Sequence, residues 1–161
     1  MSVALITGSC GLIGSESVKF FLKKGFDVIG IDNNTRKKLF GIDGDVSIIQ
    51  KKLIKYKNYK HQAVDITNYH KLEKIFKAYG KRIEIIVHTA AQPSHDWAYQ
   101  NPILDFKINS EGTLNLLELF RKYSNSAKFI FTSTNKVYGD TPNQLKFYEK
   151  KYRYELKSNH R

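Results

Sequence analysis

The chain has 161 residues; 41% are hydrophobic and 26% charged, with only 3 Pro and 10 Gly. This fits one domain with a real core, or a piece of a larger one, and excludes a disordered, collagen-like or linker chain. The net charge is +12, from 27 Lys and Arg against 15 Asp and Glu.

Lys is spread along the whole chain, while Arg, the bidentate reader of bases, is confined to Arg36, Arg82, Arg121, Arg153 and Arg161. The basic excess therefore reads as compositional drift rather than as a nucleic-acid surface. Its field still favours anionic ligands such as nucleotides. A single cysteine, Cys10, excludes an internal disulfide framework and a multi-Cys zinc site, and fits a reducing cytoplasm. No apolar run approaches the ~20 residues that span a bilayer. The start, MSVALITGSCG, lacks the basic and cleavage regions of a signal peptide.

Residues 3–7 read as a short apolar strand that meets a glycine cluster at once. Residues 12–24 carry apolar side chains at helical spacing and end on Lys23-Lys24-Gly25, a helix stop signal. A second strand covers 26–31, completing a βαβ unit. The segment 33–36 reads as a loop, and 37–59 is polar and Lys-rich, with a short helix near 47–56. Alternation then returns: a strand at 61–65, and a helix at 67–79 with Leu72, Ile75, Phe76 and Tyr79 on one face. A fourth strand follows at 83–88. A helix at 101–123 is expected to turn Leu104, Ile108, Leu114, Leu117 and Phe120 inward, and a fifth strand covers 128–132. Beyond Gly139 the periodicity stops, and 146–161 reads as an open tail. Five strands alternating with helices predict an α/β, doubly wound parallel sheet of order 3-2-1-4-5.

Gly8-Ser-Cys-Gly11-Leu-Ile-Gly14 directly follows a strand and opens a helix. Gly8 permits a tight turn, Gly11 lets a pyrophosphate approach the backbone, and Gly14 lets helix and strand pack closely. The helix N-terminus offers free N–H groups to phosphates. Asp32 ends the second strand, where a carboxylate accepts from a ribose 2′-hydroxyl and repels a 2′-phosphate, favouring NAD over NADP. Arg36 lies near enough to meet a 2′-phosphate instead. Asp65 has two readings: an adenine contact at the sheet's carboxyl edge, or a cap for the following helix. Ala90-Ala91 are small enough for a ligand to lie against the backbone. His88 reads as packed at a strand end and His95 as a solvent-facing loop residue. Cys10 reads as a small loop residue rather than a nucleophile. Thr132, Ser133 and Thr134 place hydroxyls at the end of the fifth strand. No His, Cys, Asp and Glu spacing suggests a metal site.

Together, ITGSCGLIGS, the acid of IDNNTR, HTAAQPSHDWA, NSEGTLNLLE and FTSTNKVYGD resemble the extended short-chain dehydrogenase/reductase family, in its nucleotide-sugar epimerase and dehydratase branch. The resemblance covers residues 3–145 and implies a Rossmann-type domain that binds NAD and transiently oxidises a nucleotide sugar, with a CDP-sugar favoured as substrate. It implies a cofactor site of Gly8, Cys10, Gly11, Leu12, Ile13, Gly14, Asp32, Asn33, Asp65, Ile66, Ala90, Ala91, Gln92 and Asn109. Thr134 matches the hydroxyl that assists the catalytic tyrosine. The family's Tyr-x-x-x-Lys does not follow Thr134; Tyr56-Lys-Asn-Tyr-Lys60 lies upstream in a Lys-rich stretch and reads as coincidence. The chain is accordingly expected to be an incomplete NAD-binding domain (1–145) with a tail (146–161), lacking the sugar-nucleotide domain. Its partners are expected to be a nucleotide sugar and either a complementing C-terminal half or further copies of itself. The alternatives are a non-catalytic dinucleotide-binding remnant and a 4-epimerase or 4,6-dehydratase.

Overall fold

The computed structural model describes residues 2–134, 137 and 139–157. In chain order the elements are β1 (Val3–Thr7), α1 (Leu12–Lys23), β2 (Asp27–Ile31), α2 (Thr35–Phe40), α3 (Ser47–Leu53) and β3 (Tyr59–Gln62). There follow α4 (Tyr69–Tyr79), β4 (Ile83–His88), α5 (His95–Gln100), α6 (Pro102–Phe106), α7 (Gly112–Tyr123), β5 (Lys128–Phe131), β6 (Phe147–Lys150) and β7 (Arg153–Leu156). The first five strands pair in parallel in the order β3-β2-β1-β4-β5, the doubly wound order that the alternation predicts. No helix among the described residues is long and apolar enough to cross a membrane.

Strand alternation divides the interior into two layers. Val3, Leu5, Ile29 and Ile31 pack with Leu72, Ile75 and Phe76 of α4 and Leu116 and Leu119 of α7. Ala4, Ile6 and Val28 pack on the opposite side with Val18 of α1 and Leu53 of α3. β1 is buried along its whole length, as a central parallel strand covered on both faces must be.

The structure departs from the sequence expectations at four places. β3 begins at Tyr59 because the Tyr59 ring fills the space left by Gly30; a Cβ there would lie 2.6 Å from Tyr59 Cε2. Asn34, at φ 55°, turns the chain through the left-handed region and starts α2 where a loop was expected.

In the long helical stretch, Leu104, Leu114 and Leu117 are exposed instead of inward. A π turn at Lys107–Glu111 accommodates an extra residue, so the buried stripe after it passes to Gly112, Leu116 and Leu119. Finally, the tail holds an antiparallel hairpin, β6 with β7, where an irregular end was expected. Glu155 gathers Tyr148 Oη (2.7 Å), Lys150 Nζ (2.5 Å) and the Arg153 guanidinium on one of its faces. Nearly every hairpin residue is exposed, so no buried face imposes a period.

Candidate functional site

A cleft of about 280 Å³ opens at the carboxyl ends of the strands, at the switch point where β2 and β4 flank β1. Its floor is the glycine loop. Gly8 sits at φ +64°, and a Cβ on it would stand 2.8 Å from Ala90 N. A Cβ on Gly14 would overlap Gly8 O and lie 2.7 Å from Gly8 C. The loop is pinned by Gly11 N–H donating to Gly8 O (2.9 Å) and Ser15 N–H to Gly11 O (2.9 Å). α1 has no side-chain cap, so N–H groups of its first turn are left for an anion at the positive end of the helix.

Asp32 follows β2 directly. Its Oδ2 accepts the Cys10 N–H (3.0 Å) and its Oδ1 the Asn34 N–H (2.8 Å). The carboxylate is thereby locked to the glycine loop and to its own turn, with lone pairs to spare for ligand hydroxyls. Asn33 Nδ2 donates to Asp65 Oδ2 (2.8 Å), bridging the ends of β2 and β3. Asp65 Oδ1 meanwhile accepts from Thr67 N (2.8 Å) and Thr67 Oγ1 (2.7 Å), while the cap of α4 is Asn68. Asp65 thus closes a turn and braces the cleft wall at once.

The opposite wall is residues 89–93. Asn109 Oδ1 accepts the Gln92 N–H (2.9 Å) and Asn109 Nδ2 donates to Gln92 O (3.2 Å). Asp105 Oδ1 accepts from both Asn109 Nδ2 (3.0 Å) and Gln92 Nε2 (2.8 Å). Asn109 and Asp105 are one helical turn apart, so both reach the same loop.

Twelve of the fourteen residues of the expected cofactor site line this cleft: Gly8, Gly11, Leu12, Ile13, Gly14, Asp32, Asn33, Asp65, Ile66, Ala90, Ala91 and Gln92. Cys10 does not; its thiol is buried beneath the loop, and burial, with the Asp32 charge nearby, pushes it up to about 11. Asn109 acts from behind, through Gln92. Thr134 is exposed and does not line the cleft, whereas Thr132 does. Asn135, Lys136 and Tyr138 of the strand-end motif lie outside the described residues. His95 is exposed at the start of α5. Sequence reading missed Thr35, Leu39, Phe40 and Val46, which line the cleft beyond Asp32, because this polar, Lys-rich stretch carries no apolar periodicity. Arg36 lines the cleft as well, its guanidinium 5.8 Å from the Phe40 ring centroid.

The glycine loop without side chains suits a pyrophosphate, and the fixed carboxylate suits a ribose, so the residues present fit a dinucleotide.

Comparison with known proteins agrees with this fit. The profile of the NAD dependent epimerase/dehydratase family matches residues 4–159, through the hairpin. The chain is 37% identical over 150 residues to a CDP-paratose 2-epimerase from Salmonella typhi, covering 93% of this chain and 41% of that protein. The structure of the UDP-Glc/GlcNAc 4-epimerase from Campylobacter jejuni superposes with a TM-score of 0.72 at 28% identity, covering 87% of this chain and 39% of that one. The Thermus thermophilus UDP-glucose 4-epimerase complex with NAD gives a TM-score of 0.64 at 32% identity, covering 82% and 37%. The chain therefore spans about two fifths of the length of these relatives.

Proposed function

The chain belongs to the NAD dependent epimerase/dehydratase family, and on that premise we propose that it is the NAD-binding portion of a nucleotide-sugar epimerase working in the cytoplasm. The observation that carries this is the joining of the glycine loop and Asp32 through the Cys10 N–H, in one cleft. Bound NAD supplies the hydride acceptor for epimerisation at a sugar carbon. The loop Gly8–Gly14 takes the pyrophosphate on backbone N–H groups, and Asp32 accepts from ribose hydroxyls. Asp65 and Ile66 flank the adenine, with Asn33 tying Asp65 in place. Ala90, Ala91 and Gln92 form the wall beside the nicotinamide half, with Asn109 fixing Gln92. Thr134, exposed two residues beyond the cleft-lining Thr132, orients a substrate hydroxyl at the cleft mouth. Likeness to the Salmonella typhi enzyme supports a CDP-sugar as the substrate. The two 4-epimerases support the wider class of nucleotide sugars.

Calorimetric titration of NAD and NADP tests the reading. NAD is expected to bind more tightly. Asp32→Ala should weaken NAD about tenfold or more, the scale of a lost hydrogen bond to a charged group, and narrow the preference. Tighter binding of NADP by the unsubstituted chain would contradict the assignment and transfer the ribose contact to Arg36.

The same reading predicts self-association of the isolated chain. β5 is an edge strand; Ile130 (45% exposed) lies beside Ile13 and Phe20 of α1, while Phe131 (55% exposed) lies on the opposite face, against the His88 ring. Open backbone groups beside apolar side chains are a template for pairing. Light scattering should show species larger than a monomer. A monodisperse monomer with protected β5 amides would show that another segment covers the edge.

A further inference from the structure

We infer that His88 is a positioning residue: as a neutral imidazole protonated on Nε2, it ties both ends of the cleft wall at residues 89–92 to one ring. The inference rests on the cleft being the NAD site.

The direction of each hydrogen bond follows from the groups present. Thr113 Oγ1 lies 2.6 Å from Asn109 O, and a carbonyl oxygen only accepts, so the Thr113 hydroxyl gives its one proton there. Toward His88 Nε2, 2.9 Å away, Thr113 is left to accept, so Nε2 carries a proton. On the other side Thr7 Oγ1 accepts the N–H groups of Thr89 (3.2 Å) and Ala90 (3.2 Å). Both its lone pairs are used, and its proton goes to His88 Nδ1 at 2.7 Å. The ring is thus an acceptor at Nδ1 and a donor at Nε2.

Both arms end on the same loop. One runs through Thr7 to the N–H groups of Thr89 and Ala90, where Gly8 makes its closest approach. The other runs through Thr113 to the backbone of Asn109, whose side chain holds Gln92. His88 is 1% exposed and is enclosed by Phe129 and Phe131, with ring centroids 6.3 and 5.5 Å away. No charged group is among these neighbours, and burial lowers the His88 pKa to about 4. A second proton on Nδ1 would face an oxygen with no free lone pair.

Nitrogen-15 NMR of the imidazole is expected to show the Nε2–H tautomer for His88 at neutral pH. Thr113→Val removes the acceptor while keeping the shape. It should leave the Nε2–H without an acceptor, shift the Nε2 resonance and weaken NAD binding about tenfold, since a buried ring N–H loses its partner. Thr113→Ser restores the hydroxyl and should recover most of the affinity. Ile75→Val, in the same core layer but away from the cleft, should lower Tm and leave NAD affinity unchanged. An Nδ1–H or charged ring in the unsubstituted chain overturns the inference. So does NAD affinity that Thr113→Val leaves untouched, or that Thr113→Ser fails to recover. Absence of NAD binding in the unsubstituted chain overturns the reading of the cleft, and this role with it.

Discussion

Gly14→Ala is expected to weaken NAD binding about a hundredfold and to destabilise the fold by about 3 kcal/mol. The added methyl overlaps Gly8 O and lies 2.7 Å from Gly8 C and 2.9 Å from Thr89 Oγ1. Two of these three neighbours are backbone, held between buried β1 and the first turn of α1, so no flexible side-chain end can move aside. Relief requires α1 to withdraw from the loop. That carries its N-terminal N–H groups away from the pyrophosphate they are built to meet. Gly25→Ala is the control. Gly25, unlike Gly14, has a positive φ, +82°, and nothing lies within 4 Å of its Cβ position, so its variant carries backbone strain without a clash. Its variant should lose about 1–2 kcal/mol from backbone strain and keep NAD affinity. Thermal melts and NAD titrations of the two variants separate the effects. Equal NAD affinity in Gly14→Ala and the unsubstituted chain would mean that the loop is not the phosphate site.

The second large effect concerns turnover. Removing hydride from a sugar carbon requires a base on the adjoining hydroxyl, typically worth about 10²–10⁴-fold in rate. It also requires the carbon to be held against the nicotinamide, a proximity effect of about 7–11 kcal/mol. Within these 161 residues no Tyr-x-x-x-Lys follows Thr134, and a threonine hydroxyl is far too weak an acid to serve as the base. Tyr56 precedes β3 on the outer surface, away from the residues that line the cleft. The chain alone is therefore expected to bind NAD and to produce no epimer from a CDP-sugar or UDP-sugar. Addition of a polypeptide carrying the downstream Tyr-x-x-x-Lys and a sugar-nucleotide domain should restore turnover. Epimer formation by the 161 residues alone would require a base within the chain other than the family's tyrosine.

What was legible in the sequence is what local chemistry dictates. The glycine spacing, the acid after β2 and the apolar runs of β1, β2 and β4 each follow from short-range requirements, and the sheet order follows from their alternation. The face of α7 was not legible, because a single π turn at Lys107–Glu111 shifts every later residue around the helix axis. The start of β3 was hidden because Tyr59 is accommodated by Gly30 on a neighbouring strand, a long-range fit that no window of sequence contains. The hairpin β6–β7 escaped because exposure on both faces leaves no hydrophobic period to read. In the site, backbone-facing parts were easier to read than side-chain linkages. Cys10 was singled out, but it acts through its N–H to Asp32. The Asn33–Asp65 bridge joins two loops that only the parallel sheet brings together.

The most direct measurement is amide NMR of the nitrogen-15-labelled chain titrated with NAD. Saturable shifts are expected at Gly8, Gly11, Gly14, Asp32, Ala90 and Gln92, which line one cleft, with suppression in Asp32→Ala at equal NAD concentration. Shifts scattered over the lysine-rich surface, or none at saturating NAD, would contradict the assignment of the cleft to NAD.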